Sequence, residues 1–226
     1  MARPKICVVI TAPSIDLAIE SIGRVQSHEP DLIEVRLDYM THAEGLKLIR
    51  EATNLPLIAT NRRRDQGGYW KGSETKRVEK LLDACDAGFD YVDLELTTTS
   101  IKDIGEAARS LGAKLIISCH DFKETPRIGE LNSIMREGIK HKADICKIVG
   151  TARDHGDCLT YLRFLLENPD SNLVSFGMGE AGVMSRIFSP IFGGAFTYAS
   201  SDAGEESAPG QISLDGLREI YRILGV

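Results

Sequence analysis

The sequence predicts a single (β/α)₈ barrel, or TIM barrel, over residues 1–226. Short runs of apolar and β-branched residues alternate along the whole chain with amphipathic stretches, and we count eight of each. No GxGxxG follows the first strand, where Thr11-Ala12-Pro13-Ser14 stands instead. That absence disfavours the competing architecture, a doubly wound open sheet that binds a dinucleotide. The chain length of 226 residues is slightly below the roughly 250 typical of such barrels.

The strands are predicted from near-continuous apolar runs, as expected where helices cover a parallel sheet. They cover residues 5–11, 31–38, 55–62, 89–96, 113–122, 143–150, 172–179 and 195–200. The clearest helices cover residues 73–87, 100–112, 128–141, 155–168 and 213–224. Ser73 is suited to the N-cap of the first of these. Gly88 and Gly112 follow helical segments as C-terminal stop signals.

Composition excludes several classes of protein. The chain has 27 Lys plus Arg against 33 Asp plus Glu, a net charge of −6, which argues against nucleic-acid binding. No run of 18 apolar residues is present, and the first apolar stretch is too short for a signal peptide. The 5 cysteines are odd in number and form no CxxC pair. We therefore expect a soluble, cytoplasmic protein without a membrane or nucleic-acid partner.

In a (β/α)₈ barrel the functional residues lie at the carboxyl ends of the strands. The second strand ends Glu34-Val35-Arg36-Leu37-Asp38, and period-2 geometry places Glu34, Arg36 and Asp38 on one face. Charges on an interior face are costly unless they are paired or bind a ligand. A buried ion-pair network and a ligand site therefore both remain open. The third strand ends at Arg62, the first of three consecutive arginines, of which one is expected to point inward.

The fifth and sixth strands carry a histidine and a lysine. His120 is the only histidine that ends a strongly apolar strand, and its side chain is the natural proton carrier near neutral pH. Lys147 is the single lysine of the sixth strand, and lysine is rarely buried without a partner or a role. In a cation-rich, low-dielectric pocket a lysine loses its proton more readily, and the neutral amine attacks carbonyls. A structural histidine and a structural salt bridge are the alternatives.

Further polar residues follow strands seven and eight. Arg186 supplies a planar fork suited to a carboxylate or a phosphate. Residues 201–210 are small, acidic and rich in glycine, which predicts a lid, although an ordinary surface loop fits as well. Ser207 and Gln211 are placed to bond a ligand when this lid closes. No HxH or HExxH spacing is present, so no metal site is predicted and a metal-dependent aldolase is disfavoured.

These motifs together resemble the type I 3-dehydroquinate dehydratases over nearly the whole chain. The resemblance rests on segments 34–38, 118–122 and 207–211, on Arg62 followed by Gly67-Gly68, on Lys147, and on Met178-Gly179 leading to Ser185-Arg186. It implies the dehydration of 3-dehydroquinate to 3-dehydroshikimate in the shikimate pathway, which leads to the aromatic amino acids. It also implies that no cofactor is needed, because the substrate is held as a covalent imine.

The resemblance assigns each site residue a role. Lys147 forms the imine with the substrate ketone, and His120 removes the C2 proton and later donates a proton to the departing hydroxyl. Glu34 is placed to orient His120. The residues that bind the substrate are Glu34, Arg36 and Arg62 at the ring hydroxyls, and Arg186, Ser207 and Gln211 at the carboxylate. One departure is Gln66, which occupies a position where many family members carry glutamate.

The resemblance also implies a homodimer, for which residues 188–192 and the adjacent apolar helix surface offer an interface. Two other functions remain open. A Schiff-base aldolase of the same barrel shape needs a phosphate site after strands seven and eight, to which Gly193-Gly194 would contribute. A barrel that only binds a metabolite leaves Lys147 and His120 without a role. Cys119 and Cys146 are predicted to face away from the neighbouring site residues.

Overall fold

Nine parallel strands form the central sheet of the computed structural model, which describes residues 3–41, 44–201 and 208–226. The eight predicted strands are all present. They are β1 (Ile6–Ile10), β2 (Leu32–Arg36), β3 (Leu57–Thr60), β4 (Tyr91–Glu95), β5 (Lys114–Asp121), β6 (Ile145–Thr151), β7 (Leu173–Met178) and β8 (Thr197–Ser200). A two-residue strand, β9 (Ile212–Ser213), was not predicted; it pairs with β8 through Ala199 and Ser200.

Eight α-helices alternate with these strands in the described ranges. They are α1 (Ile15–Gln26), α2 (Leu46–Glu51), α3 (Glu74–Asp86), α4 (Ile101–Ser110), α5 (Ile128–Lys140), α6 (His155–Glu167), α7 (Val183–Phe188) and α8 (Leu214–Leu224). The Ser73 hydroxyl accepts a hydrogen bond from the Lys76 N–H, so the predicted N-cap of α3 is confirmed. Gly88 and Gly112 adopt φ of +92° and +89° behind α3 and α4, as expected of helix stop signals.

The strand order is β7-β6-β5-β4-β3-β2-β1-β8-β9, in parallel throughout. The ring closes between β7 and β8. There the Ala195 N–H donates to the Leu173 carbonyl oxygen at 2.7 Å, and the rings of Phe176 and Tyr198 meet edge to face. The predicted (β/α)₈ barrel is confirmed.

Side chains alternate between the two faces of each strand and so form two separate apolar layers. One lies between the sheet and the helices, and it includes Cys146, whose Sγ lies 3.7 Å from the Met135 carbonyl oxygen of α5. The other fills the barrel interior. Lys147 points to this inner side, so the prediction that Cys146 faces away from it is confirmed. In the part of the chain that is described, no helix is long and apolar enough to cross a membrane.

Candidate active site

A cavity of about 180 Å³ lies at the carboxyl ends of the barrel strands. The structure brings together seven of the eight predicted site residues in its lining: Glu34, Arg36, Arg62, His120, Lys147, Arg186 and Gln211. Ser207 lies outside the described residues. The parallel register explains the convergence, because it pairs Ser118 with Lys147 and His120 with Val149 on neighbouring strands. Side chains two residues apart on each strand therefore reach the same inner face.

Lys147 is buried, and its ammonium nitrogen has three close neighbours. Nζ lies 3.0 Å from the Tyr198 hydroxyl oxygen, 3.1 Å from Asp93 Oδ2 and 3.4 Å from Glu34 Oε2. The expected cation-rich surrounding is thus wrong at the nitrogen itself, because the nearest charges are two carboxylates.

Arg62 is the buried member of the three consecutive arginines, as predicted. Its Nη2 lies 2.7 Å from Asp93 Oδ2, and its Nη1 donates to the Ser118 hydroxyl at 2.7 Å and lies 3.2 Å from Glu95 Oε1. Burial alone would raise the pKa of Asp93, but the charges of Arg62 and Lys147 hold this pKa well below its ordinary value. Asp93 is therefore an anion that fixes both cations at the cavity floor.

Arg36 and Asp38 form a two-pronged ion pair beside the cavity. Arg36 Nε and Nη2 donate to the two carboxylate oxygens of Asp38 at 2.8 and 2.7 Å. Asp38 also accepts from the Tyr69 N–H at 3.0 Å. Burial opposes the charged form of Asp38, but the bonds from Arg36 lower its pKa overall. The buried ion pair expected of this strand end is confirmed, and the ligand site stays a prediction, with Arg36 in the lining of the cavity.

His120 lines the cavity, and its Nδ1 is buried without a hydrogen-bond partner. Its backbone N–H donates to the Gln66 side-chain oxygen at 3.2 Å. Burial, followed by the nearby charges of Arg62 and Lys147, lowers the pKa of His120 well below 6.5. Among the described residues the Glu34 carboxylate hydrogen-bonds to Lys147 Nζ, and not to this Nδ1. The expected support of His120 by Glu34 is therefore not what the structure shows.

Arg186 differs from the other arginines of the cavity. It is 2% exposed, its Nε has no hydrogen-bond partner, and its guanidinium stacks 4.3 Å from the centroid of the Phe176 ring. Its Nη2 donates to the Pro209 carbonyl oxygen at 3.5 Å. Burial lowers the pKa of Arg186 to about 10. No carboxylate of the described chain forms an ion pair with it, so the cavity holds a cation suited to an anionic ligand.

Two other expectations concern metals and phosphate. The residues that are described include no group of three or more His, Cys, Asp or Glu side chains that would hold a metal ion. Gly193 and Gly194 precede β8, at the end of the strand opposite the cavity, and the Gly194 N–H donates to the Ser189 carbonyl oxygen. The phosphate site that an aldolase would need is thus not at these glycines.

Sequence reasoning missed Asp93 and Tyr198. Both are buried, Asp93 on β4 and Tyr198 on β8. The signal for Asp93 was available, because Asp93 and Glu95 alternate with apolar residues in the fourth strand just as Glu34 and Arg36 do in the second. Tyr198 gives a weaker signal, since a tyrosine in an apolar strand is also ordinary core.

A closed parallel barrel with buried charges at the carboxyl ends of its strands is the architecture of a (β/α)₈-barrel enzyme. Comparison with known families gives the particular one. The profile of the type I 3-dehydroquinase family matches residues 6–226. The chain belongs to this family, and it is a hydro-lyase.

Individual relatives agree over almost the whole chain. The 3-dehydroquinate dehydratase of Dehalococcoides mccartyi is 36% identical over 223 residues, covering 98% of this chain and 96% of the relative. That of Pyrococcus abyssi is 37% identical over 220 residues, covering 97% of this chain and 98% of the relative. The crystal structure of the Geobacillus kaustophilus enzyme superposes with a TM-score of 0.91 at 27% identity. The match covers 99% of this chain and 92% of the Geobacillus chain. The Clostridium difficile type I enzyme, solved with covalently modified comenic acid, has a TM-score of 0.89 at 29% identity and covers 99% and 93%.

Proposed function

We propose that the protein dehydrates 3-dehydroquinate to 3-dehydroshikimate through an imine on Lys147, as a step of the shikimate pathway. The observation that carries the proposal is that Lys147 and His120, on adjacent strands, line one cavity with an unpaired buried guanidinium. The names of the relatives support the substrate. The covalently modified ligand of the Clostridium difficile enzyme supports covalent chemistry in this family.

Binding begins with the carboxylate of the substrate at Arg186. A buried guanidinium without an acidic partner gains an ion pair when an anion enters, and the planar fork orients the carboxylate. Gln211 lies in the same cavity lining, and Ser207 is proposed as a further donor. Glu34, Arg36 and Arg62 of the same lining are proposed to hold the ring hydroxyls.

The covalent step uses the nitrogen of Lys147. The neutral amine attacks the ketone carbon, and the resulting carbinolamine loses water to give a protonated imine. The positive charge of this imine withdraws electrons from the neighbouring C–H bond, so a base of modest strength removes the C2 proton. An enamine on Lys147 results. The proposed reaction thus needs no metal and no other cofactor.

His120 is the proposed base and acid. Its lowered pKa keeps the ring neutral near pH 7, so that it accepts the C2 proton. The same shift makes the protonated ring a ready acid, which donates its proton to the hydroxyl that leaves as water. Hydrolysis of the remaining imine releases 3-dehydroshikimate and restores the lysine.

The test is reduction with borohydride in the presence of 3-dehydroquinate, followed by peptide mass mapping. A ligand-dependent adduct on Lys147 is expected, and it should vanish in Lys147→Met. The matched control is Lys123→Met, which changes an exposed lysine in the loop after β5 and should keep the adduct. Folded protein without an adduct would falsify the imine and leave the metabolite-binding barrel. An adduct on another lysine would contradict the assignment of Lys147.

The homodimer and the cytoplasmic location inferred from the sequence stay predictions. Sedimentation equilibrium of the purified protein tests the first of them. A mass of one chain over the micromolar range would contradict the dimer.

A further inference from the structure

Arg77 is a buried arginine that no step above uses. It lies on α3, is 0% exposed and stands outside the lining of the cavity. Its Nε and Nη2 donate to the two carboxylate oxygens of Glu74, each at 2.8 Å, and its Nη1 lies 2.9 Å from Glu95 Oε2. The guanidinium therefore joins a partly exposed carboxylate of the helix to a carboxylate that is buried in the sheet.

The Glu95 carboxylate connects Arg77 to the cavity. Its Oε1 lies 3.2 Å from Arg62 Nη1 and accepts from the Arg63 N–H at 3.1 Å, while its Oε2 faces Arg77. Glu95 is 1% exposed, so water has little access to these contacts. One buried carboxylate thus holds two guanidinium groups, and one of the two lines the cavity.

Arg77 also holds the backbone next to Arg62. Its Nη1 donates to the Asn61 carbonyl oxygen at 3.0 Å, and the Asn61 side-chain amide donates to the Arg77 carbonyl oxygen at 3.2 Å. Asn61 precedes Arg62 in the chain, and Arg63, which donates to Glu95, follows it. The backbone on both sides of Arg62 and the head group of Arg62 are therefore tied, directly or through Glu95, to one arginine of α3.

Stability alone is a weak reason for a buried arginine at this position. Taking charges out of water is costly, and a buried ion pair is often no better for stability than apolar side chains of similar volume. Binding gives a stronger reason. A guanidinium that is mobile in the empty site must be ordered when a ligand binds, which costs affinity, whereas one that is already fixed avoids this cost.

We propose that Arg77 is a positioning residue that holds the Arg62 guanidinium, through Glu95, in the orientation that binds the ring hydroxyls of the substrate, an inference that rests on the proposed function. Arg77 itself touches neither the substrate nor the reacting atoms. Without Arg77, the contacts of Arg62 with Asp93 and Ser118 remain. Arg62 then stays in the cavity but occupies more than one orientation.

The test measures KM and kcat for 3-dehydroquinate separately. Arg77→Met keeps a long side chain and removes the guanidinium. We expect KM to rise by about 10-fold, which is about 1.4 kcal/mol and similar to the cost of ordering one long side chain on binding. The value of kcat should change little, because a binding contact shared by substrate and transition state is weakened. The borohydride adduct on Lys147 should still form at saturating substrate.

Arg50→Met is the matched control. Arg50 on α2 also ties a helix to the sheet, since its Nη1 lies 2.9 Å from Asp90 Oδ2 and its Nη2 donates to the Leu55 carbonyl oxygen at 2.9 Å. Asp90 directly precedes β4, so this ion pair lies at the end of the barrel opposite the cavity. The control should lose stability without a change in KM.

A cycle of double variants separates positioning from a general structural role. In Arg62→Lys no guanidinium is left to orient, so adding Arg77→Met should leave KM as it is in Arg62→Lys alone. Arg77→Lys covers the case in which Arg77→Met does not fold. It keeps a positive charge for Glu95 but loses the fork that also reaches Glu74, and it should raise KM by a smaller factor.

Three results would overturn the positioning role and leave the imine standing. They are a parental KM in the folded variants of Arg77, a rise in KM of the same size in Arg50→Met, and a rise that persists in full in the Arg62→Lys background. A fall in kcat at unchanged KM would contradict it as well. A parent protein that neither turns over 3-dehydroquinate nor forms the adduct would overturn the proposed function, and this inference with it.

Discussion

Arg62 and Arg186 are both buried arginines beside one cavity, but their surroundings differ. Arg62 is bonded to Asp93, Glu95 and Ser118, and these carboxylates raise its pKa despite burial. Arg186 has no such acidic partner in the described chain, and burial lowers its pKa to about 10. The first guanidinium is already satisfied, whereas the second gains an ion pair when an anion binds.

We expect Arg186→Gln to lower kcat/KM for 3-dehydroquinate by roughly 10- to 100-fold. Loss of a hydrogen bond to a charged group costs about 1.5–3 kcal/mol, and each 1.4 kcal/mol is a factor of ten. The free energy of unfolding should stay the same or rise, because an unpaired buried charge is removed. Steady-state kinetics and urea unfolding measure both. Arg222→Gln, at an exposed position on α8, is the control, and an unchanged kcat/KM in Arg186→Gln would contradict the assignment.

At the scale of elements, the turn after β3 places the backbone of Gly68 in close contact with the backbone of Arg62 and Arg63. The Gly68 N–H donates to the Arg63 carbonyl oxygen, and a Cβ on Gly68 would lie 2.0 Å from the Arg62 carbonyl oxygen. Both the Cβ and the carbonyl oxygen are fixed by the backbone, so no side-chain rotation relieves this contact. It gives the Gly67-Gly68 pair a physical reason, since the turn aims Arg62 into the cavity.

Gly68→Ala should therefore reduce the free energy of unfolding by roughly 1–3 kcal/mol or more and lower activity with it. The matched control is Gly129→Ala on α5, where a Cβ meets nothing within 4 Å. That control should stabilise by about 0.5–1 kcal/mol, because alanine favours helix. Urea unfolding compares the two, and equal stabilities would contradict the close approach.

The carboxylate of Asp93 contacts residues on, or directly after, three other strands of the barrel. Its carboxylate on β4 binds Arg62 beyond β3, accepts from Ser118 on β5 at 2.6 Å and lies 3.1 Å from Lys147 on β6. A second buried arginine continues the network, since Arg77 Nη1 lies 2.9 Å from Glu95 Oε2. The site is thus also part of what holds neighbouring strands together.

Asp93→Asn should cost about 3–5 kcal/mol in the free energy of unfolding, because it leaves two buried cations with one counter-charge fewer. Asp103→Asn, at an exposed position on α4, should change it by less than about 0.5 kcal/mol. Equilibrium urea denaturation measures both variants. A loss of similar size in the two would show that Asp93 does not stabilise the barrel.

For the whole molecule, the buried site links stability to pH. The pKa of His120 lies well below 6.5 in the folded state, so as the pH falls the unfolded chain binds the proton first. The contribution of the neutral His120 ring to the free energy of unfolding is therefore intact above about pH 6.5 and is lost progressively below it. The lowered pKa values of Asp38 and Asp93 add a second loss, which begins only near pH 4.

We predict that the parent protein loses stability between pH 6.5 and 4.5 faster than His120→Asn does. The difference should grow by up to about 1.4 kcal/mol per pH unit while only the unfolded histidine is protonated. Urea unfolding at several pH values measures it. His28→Asn, which changes a surface histidine 2.7 Å from Asp215, is the control. Parallel pH curves for the parent and His120→Asn would contradict the lowered pKa.

The order of strands and helices and most of the site could be predicted from the sequence. Alternation along β6 alone decides that Lys147 points inward and Cys146 outward, because side chains on a strand change face at every residue. Parallel topology then brings the carboxyl ends of distant strands to one rim. The local residue pattern and the parallel topology therefore sufficed to predict the barrel and the side of it on which the site lies.

Only the tertiary structure decided which side chains meet. Asp93 and Tyr198 lie 54 and 51 residues from Lys147, yet both hydrogen-bond to its Nζ. The pairing of Glu34 with Lys147 rather than with His120 Nδ1 was likewise decided there. Such contacts depend on the register between strands, the closure of the ring and the loss of water from each group. The physical reason is that the residue pattern along a strand determines the face to which each side chain points. A hydrogen bond depends instead on the distance between two polar atoms on different strands.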